Sequence, residues 1–134
     1  MIAKKSDYVD LIHSLYLVKD LKGKKFSLVV SKNITLIQDS LKELENRGIP
    51  SPEFIELSTK MHALANEGGD ESKSKMEALE ESNMELIEAR KLQIAEIKEA
   101  LEEELELDLS TIEEDDIPED ISPEQLLGLN KIIV

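Results

Sequence analysis

Apolar residues recur at helical pitch along most of the chain. From Phe26, the series Val30, Ile34, Ile37, Leu41 and Leu44 advances in steps of three and four, which marks one face of a helix over residues 25–46 closed by Gly48. The β-branched run from Val29 to Thr35 favours a strand, but the apolar positions there do not alternate, so the helical period prevails. Upstream, Val9, Ile12, Leu15, Tyr16 and Lys19 predict a helix from a cap at Ser6 to about Leu21, with Leu11 and Val18 on its other face and Gly23 as the break. Ile49-Pro50-Ser51-Pro52 punctuates the chain most clearly. Ser51 followed by Pro52 is the order of a cap and a first helical residue, so a third helix is predicted to about Ala65, burying Ile55, Leu57 or Ser58, Met61 and Leu64.

Residues 66–70 then read as a turn. From Ser72 to Leu105 there is no Gly or Pro, and Glu, Lys, Ala and Leu dominate, so a single long helix is predicted. Its stripe runs through Met76, Leu79, Asn83 and Leu86, shifts phase by four residues, and resumes at Ile87, Arg90, Ile94, Ile97 and Leu101, which argues against one uninterrupted coiled coil. Beyond it the period changes to two. Leu105, Leu107 and Leu109 alternate with acids as in a half-buried strand, Ile117-Pro118 turns, and Ser122-Pro123 opens a short helix that Gly128 stops. The apolar end, Asn130 to Val134, is expected to dock in the fold, by pairing with residues 105–112 or packing on the bundle, or against another chain, because Ile132, Ile133 and Val134 are unfavourable in water. No internal repeat of fixed period is read. The fold class expected is mainly α: an antiparallel helical hairpin or bundle with one long helix and a small C-terminal strand-turn-helix element. It forms a single domain over 1–134, divided into a bundle part (1–66), the long helix (72–105) and an acidic cap (106–134).

Composition narrows the chemistry. The chain has 134 residues, 40% hydrophobic, yet only two Phe, two Tyr and no Trp, so aliphatic side chains must do the packing. Without Cys there is no disulfide, thiolate nucleophile or Cys-based metal site. His13 and His62 stand alone, neither with a second ligand three or four positions away, and no serine-nucleophile or phosphate-loop motif is present. Gly68-Gly69-Asp70-Glu71 matches the first four letters of the diguanylate cyclase signature. Followed by Ser72, in a chain too short and too helical for that domain, it reads as a turn in which Asp70 or Ser72 caps the next helix. Glu113, Glu114, Asp115 and Asp116 lack the glycine and the distant closing Glu of a calcium loop, so no metal and no cofactor is assigned.

Charge is more informative in its layout than in its total of −14. Residues 1–50 carry nine Lys/Arg against six Asp/Glu, a net +3, and residues 51–134 carry seven against 24, a net −17. Such asymmetry is satisfied either within the fold or by a basic partner, and it disfavours direct binding to nucleic acid or an anionic membrane. The N-terminal stretch from Tyr8 to Val18 is too short and too often interrupted to be a membrane span or a targeting segment, so a cytoplasmic location is expected.

The run Glu106-Leu107-Asp108-Leu109, then Ile117-Pro118-Glu119-Asp120-Ile121-Ser122-Pro123-Glu124-Gln125-Leu126-Leu127-Gly128-Leu129, with Leu21-Lys22-Gly23-Lys24-Lys25-Phe26 and Asn33 before it, resembles small helical proteins of tailed bacteriophages with no assigned activity. The resemblance implies a phage or prophage origin, the host cytoplasm or the virion as location, and a non-enzymatic role. The expected function is protein–protein contact as a virion or assembly adaptor, with a protein partner, basic in charge, or self-association. Leu86, Arg90, Ile94 and Ile97 on the long helix and Glu113, Glu114, Asp115 and Asp116 are the expected contact residues. The alternative is an acidic host-takeover inhibitor in which Glu77, Glu80, Glu81, Glu85, Glu88, Glu96, Glu99 and Glu103 imitate the phosphate array of DNA.

Overall fold

The computed structural model describes residues 1–134. The protein is mainly helical, with a small two-stranded antiparallel sheet. In chain order the elements are β1 (Ile2–Lys4), α1 (Lys5–Val18), α2 (Lys24–Arg47), α3 (Pro52–Glu67), α4 (Gly69–Ser82), α5 (Met84–Leu101), β2 (Glu104–Glu106) and α6 (Pro123–Gly128). Two compact units result, one of residues 1–43 with 100–134 and one of residues 44–99, so the boundaries fall inside α2 and α5. No helix is long and apolar enough to cross a membrane.

The first unit holds the main core. Phe26, Val30, Ile37 and Leu41 of the expected α2 stripe are buried and Ile34 is half-buried. On α1 the buried row is Tyr8, Leu11, Leu15 and Val18, while Val9 and Ile12 flank it and Tyr16 is exposed. The expected stripe was therefore set too far round the helix. Ser6 is also not the cap: β1 carries extended backbone up to Lys4, whose N–H donates to Asp7 Oδ2 at 3.3 Å, and α1 starts one residue later.

Residues 104–112 are zipped onto this core by three successive partners. β2 pairs with β1 in the register Ile2↔Glu106, Ala3↔Leu105, Lys4↔Glu104. Where β1 runs out, Asn33 of α2 takes over: its Nδ2 donates to Ser110 O at 2.9 Å and its Oδ1 accepts from Ser110 N–H at 2.8 Å, as a neighbouring strand would. Ile112 then bridges Ile133 in parallel, its N–H donating to Ile132 O at 2.7 Å and its carbonyl accepting from Val134 N–H at 2.9 Å. The two-residue alternation is thus real, with Leu107 buried and Leu105 and Leu109 half-buried, although regular strand covers only Glu104–Glu106. The tail docks through Ile132, 2% exposed, and leaves Val134 in water. The Tyr8 hydroxyl, fully buried, lies 2.5 Å from Met1 O and 2.8 Å from Leu105 O, and burial raises its pKa.

The second unit is thin. Ser51 caps α3, accepting from Phe54 N–H at 3.2 Å, with Pro52 as its first residue. α3 and α4 form a helical hairpin joined at Gly68, whose φ of 69° and ψ of 173° suit glycine alone. Asp70 lies in the first turn of α4 and Ser72 donates its hydroxyl to Leu64 O, so neither is the cap expected of it. Leu57 is buried and Met61 and Leu64 are half-buried, but Ile55, expected inside, is 50% exposed.

The single helix expected over 72–105 is not continuous. It breaks at Asn83, where the phase of the apolar stripe shifts. There the side-chain Nδ2 donates to Leu79 O at 2.8 Å, the backbone N–H turns to Glu80 O, and the carbonyl starts α5 by accepting from Ile87 N–H. At its far end α5 stops at Leu101, because residues 104–106 are drawn into the ladder with β1 and Lys5 N–H donates to Glu103 O at 2.9 Å.

Candidate functional site

Of the residues expected to meet a partner, those on α5 have separate fates. Arg90 is turned inward: one guanidinium nitrogen, Nη1, donates to Gly48 O at 2.9 Å and to Gln93 Oε1 at 2.8 Å, and the group lies 5.8 Å over the Phe54 ring. Gln93 Nε2 in turn donates to Arg47 O and Ile49 O. These side chains satisfy carbonyls that the end of α2 leaves without helical partners, and the positive charge suits a helix C-terminus. Ile97 is half-buried beside Gly48. Leu86 lines an open concavity of about 610 Å³ at the α4–α5 break, and Ile94 is 39% exposed, so of the four expected α5 contact residues these two are the ones open to another molecule.

Glu113 to Asp116 belong to the other unit and are not brought together with the α5 residues in one unit. Glu114–Asp116 form a single 3-10 turn. Glu113 and Asp116 line a cleft of about 330 Å³ with Lys25 and Lys32 of α2, while Glu114 and Asp115 point to solvent. Lysines of the basic N-terminal half thus stand in the same cleft as part of the acidic run, with no ion pair within 4 Å between them. His13 and His62 are both exposed, and no cluster of three metal-ligating side chains forms.

A surface that sequence reasoning missed lies on the α3–α4 hairpin. An open groove of about 540 Å³ is lined by Lys60, Ala63 and Leu64 from α3 and Lys75, Ala78, Leu79 and Ser82 from α4. The sequence carried a signal for it. Lys60-Met61-His62-Ala63-Leu64 recurs fifteen residues on as Lys75-Met76-Glu77-Ala78-Leu79, a short repeat without a fixed period along the chain. The repeat places the same types in each wall: Ala and Leu as an apolar floor, and a lysine at the rim. Alanine at 63 and 78 keeps the floor open, since a longer side chain there would fill it. Lys60 is shared with Glu56 at 3.5 Å, an exposed and weak pair, and Lys75 has no carboxylate within 4 Å.

No protein-family model, curated protein or solved structure matches this chain.

Proposed function

We propose that this protein acts by protein–protein contact, as a phage-type virion or assembly adaptor, with the second unit as its contact module. The observation that carries the reading is how little that unit buries. Over residues 44–99 only Leu44, Leu57 and Ser72 are fully shielded, while Met61, Leu64, Met76 and Leu79 stay half-exposed beside an apolar groove, and Ile49, Ile55, Met84 and Leu92 are at least 50% exposed. A unit of that size normally needs a larger core to hold its helices, and apolar surface laid open in a soluble fold is the usual mark of an interface. Leu86 and Ile94 extend the same unit's accessible aliphatic surface along α5.

The test is capture by the wild-type chain against a Leu64→Asp/Leu79→Asp variant, with circular dichroism to show that helix content is retained. Partners, self included, held by the wild type and lost by the variant support the reading. Identical capture by both ends it.

A second reading, a DNA mimic acting on a host nucleic-acid-binding protein, draws support from α5. Glu85, Glu88, Glu96 and Glu99 are all exposed and recur on its outer face, opposite the half-buried row Leu86, Arg90, Gln93 and Ile97. Salt-sensitive competition with duplex DNA for such a protein favours this reading, and salt-tolerant association favours the adaptor.

A further inference from the structure

Two surfaces of this molecule are unexplained by its own packing, and their chemistries are complementary. One is the α3–α4 groove, apolar on its floor and carrying one lysine from each helix at its rim. The other belongs to the first unit. α6 leaves Leu127 75% exposed and Leu126 39% exposed, and Leu17, on the helix that α6 packs against, is 71% exposed. Gly128 is pressed onto Ser14 and Gln125 Nε2 donates to Leu17 O at 3.2 Å, so these leucines sit on two helices fixed to each other and not on a free end. Glu119, Asp120 and Glu124 accompany them, all exposed and none in an ion pair. The result is an acid-flanked leucine knob on one unit and a lysine-rimmed apolar groove on the other.

We propose that copies of this chain associate head to tail, the α6 knob of one copy seating in the α3–α4 groove of the next. This rests on the contact reading above and names its partner as a second copy. Leucine side chains meet the Ala63, Leu64, Ala78 and Leu79 floor, and Glu119, Asp120 and Glu124 come near Lys60 and Lys75. With a net charge of −14 per chain, general repulsion opposes association, so the lysine rim supplies the local attraction that picks out this one orientation. Because the two surfaces differ, the contact is heterologous and propagates into a ring or an open filament unless it closes reciprocally in a pair.

The experiment is light scattering of the purified full chain across a concentration series, with circular dichroism as the folding check. The wild-type mass is expected to rise above the 15.1 kDa of one chain. Lys60→Glu/Lys75→Glu and Glu119→Lys/Glu124→Lys, surface changes that leave the helices intact, should each remain monomeric. In an equimolar mixture of the two variants every knob meets an oppositely charged groove on the other variant, one contact as in the wild type and one with its charges exchanged, so association should return. A chain carrying all four changes has exchanged charges and should associate again. A monomeric wild type, variants that assemble as the wild type does, or a mixture and a four-fold variant that stay monomeric overturn the proposal. If the wild type is monomeric yet the Leu64→Asp/Leu79→Asp variant loses a captured protein, self-association fails and the contact reading stands. If that capture is also unchanged, both fail.

Discussion

Asn33 offers the sharpest test of how the C-terminal segment is held. It is 1% exposed, and its amide supplies both halves of a strand-like pairing with Ser110. Asn33→Ala removes a donor and an acceptor together, leaving the Ser110 N–H and C=O to find other partners. Each lost bond is worth about 1 kcal/mol net, and about 1–3 kcal/mol if the remaining group goes unsatisfied. Ser110 is half-buried and shares an open cleft of about 450 Å³ with Asn33, so water reaches it in part and the expected loss is about 2–4 kcal/mol.

Asn33→Asp separates the two bonds. The carboxylate still accepts from Ser110 N–H, but it faces the Ser110 carbonyl without a proton, and Asp39 and Asp108 line the same cleft against the single Lys32. Burial and these neighbours raise the folded-state pKa of the introduced acid above its unfolded value of about 4. The folded form therefore binds the proton more tightly. Stability relative to wild type is best below the unfolded pKa and is lost as pH rises through the folded one. Urea denaturation followed by far-ultraviolet circular dichroism, at pH 7 and near pH 4 with wild type alongside, measures both effects. An alanine variant within about 0.5 kcal/mol of wild type, or an aspartate variant with no pH dependence of the difference, would refute the account.

Three further outcomes are expected. Tyr8, whose pKa burial raises, should ionise above its ordinary value near 10, and the folded state should lose stability as pH climbs from there through the raised pKa; absorbance titration of a Tyr16→Phe variant isolates it. Gly128→Ala would place a methyl 2.6 Å from Ser14 Oγ and 2.8 Å from Ser14 Cβ, costing about 1–3 kcal/mol by overpacking, and Ser14→Gly in the same chain should recover much of it in a thermal melt. Arg90→Met keeps the aliphatic stem but strips the bond to Gly48 O; a loss of about 1–3 kcal/mol is expected, seen as faster amide exchange around residues 44–50 while Leu107 and Ile112 keep their protection.

Much of the architecture follows from local chemistry. The Phe26–Leu44 stripe, the Ser51-Pro52 and Ser122-Pro123 starts and the alternation at 105–109 act through neighbours a few residues away, so periodicity and cap types specify them without knowledge of the rest. The repeat at residues 60–64 and 75–79 was equally legible, but its meaning depends on two helices lying side by side. What sequence could not decide are choices between similar local options. On α1, two apolar rows compete, and the core selects Tyr8, Leu11, Leu15 and Val18 because the Tyr8 hydroxyl meets the Met1 and Leu105 carbonyls there. Residues 102–105 have good helix propensity, yet backbone pairing with Ile2–Lys4, distant in the chain, stops α5 at Leu101. Arg90 reads as a seam residue until the open end of α2 is beside it, and Asn33 as one polar residue in an apolar stripe until Ser110 arrives. In each case the deciding term is a hydrogen bond or packing contact between residues far apart in sequence, which no local pattern encodes.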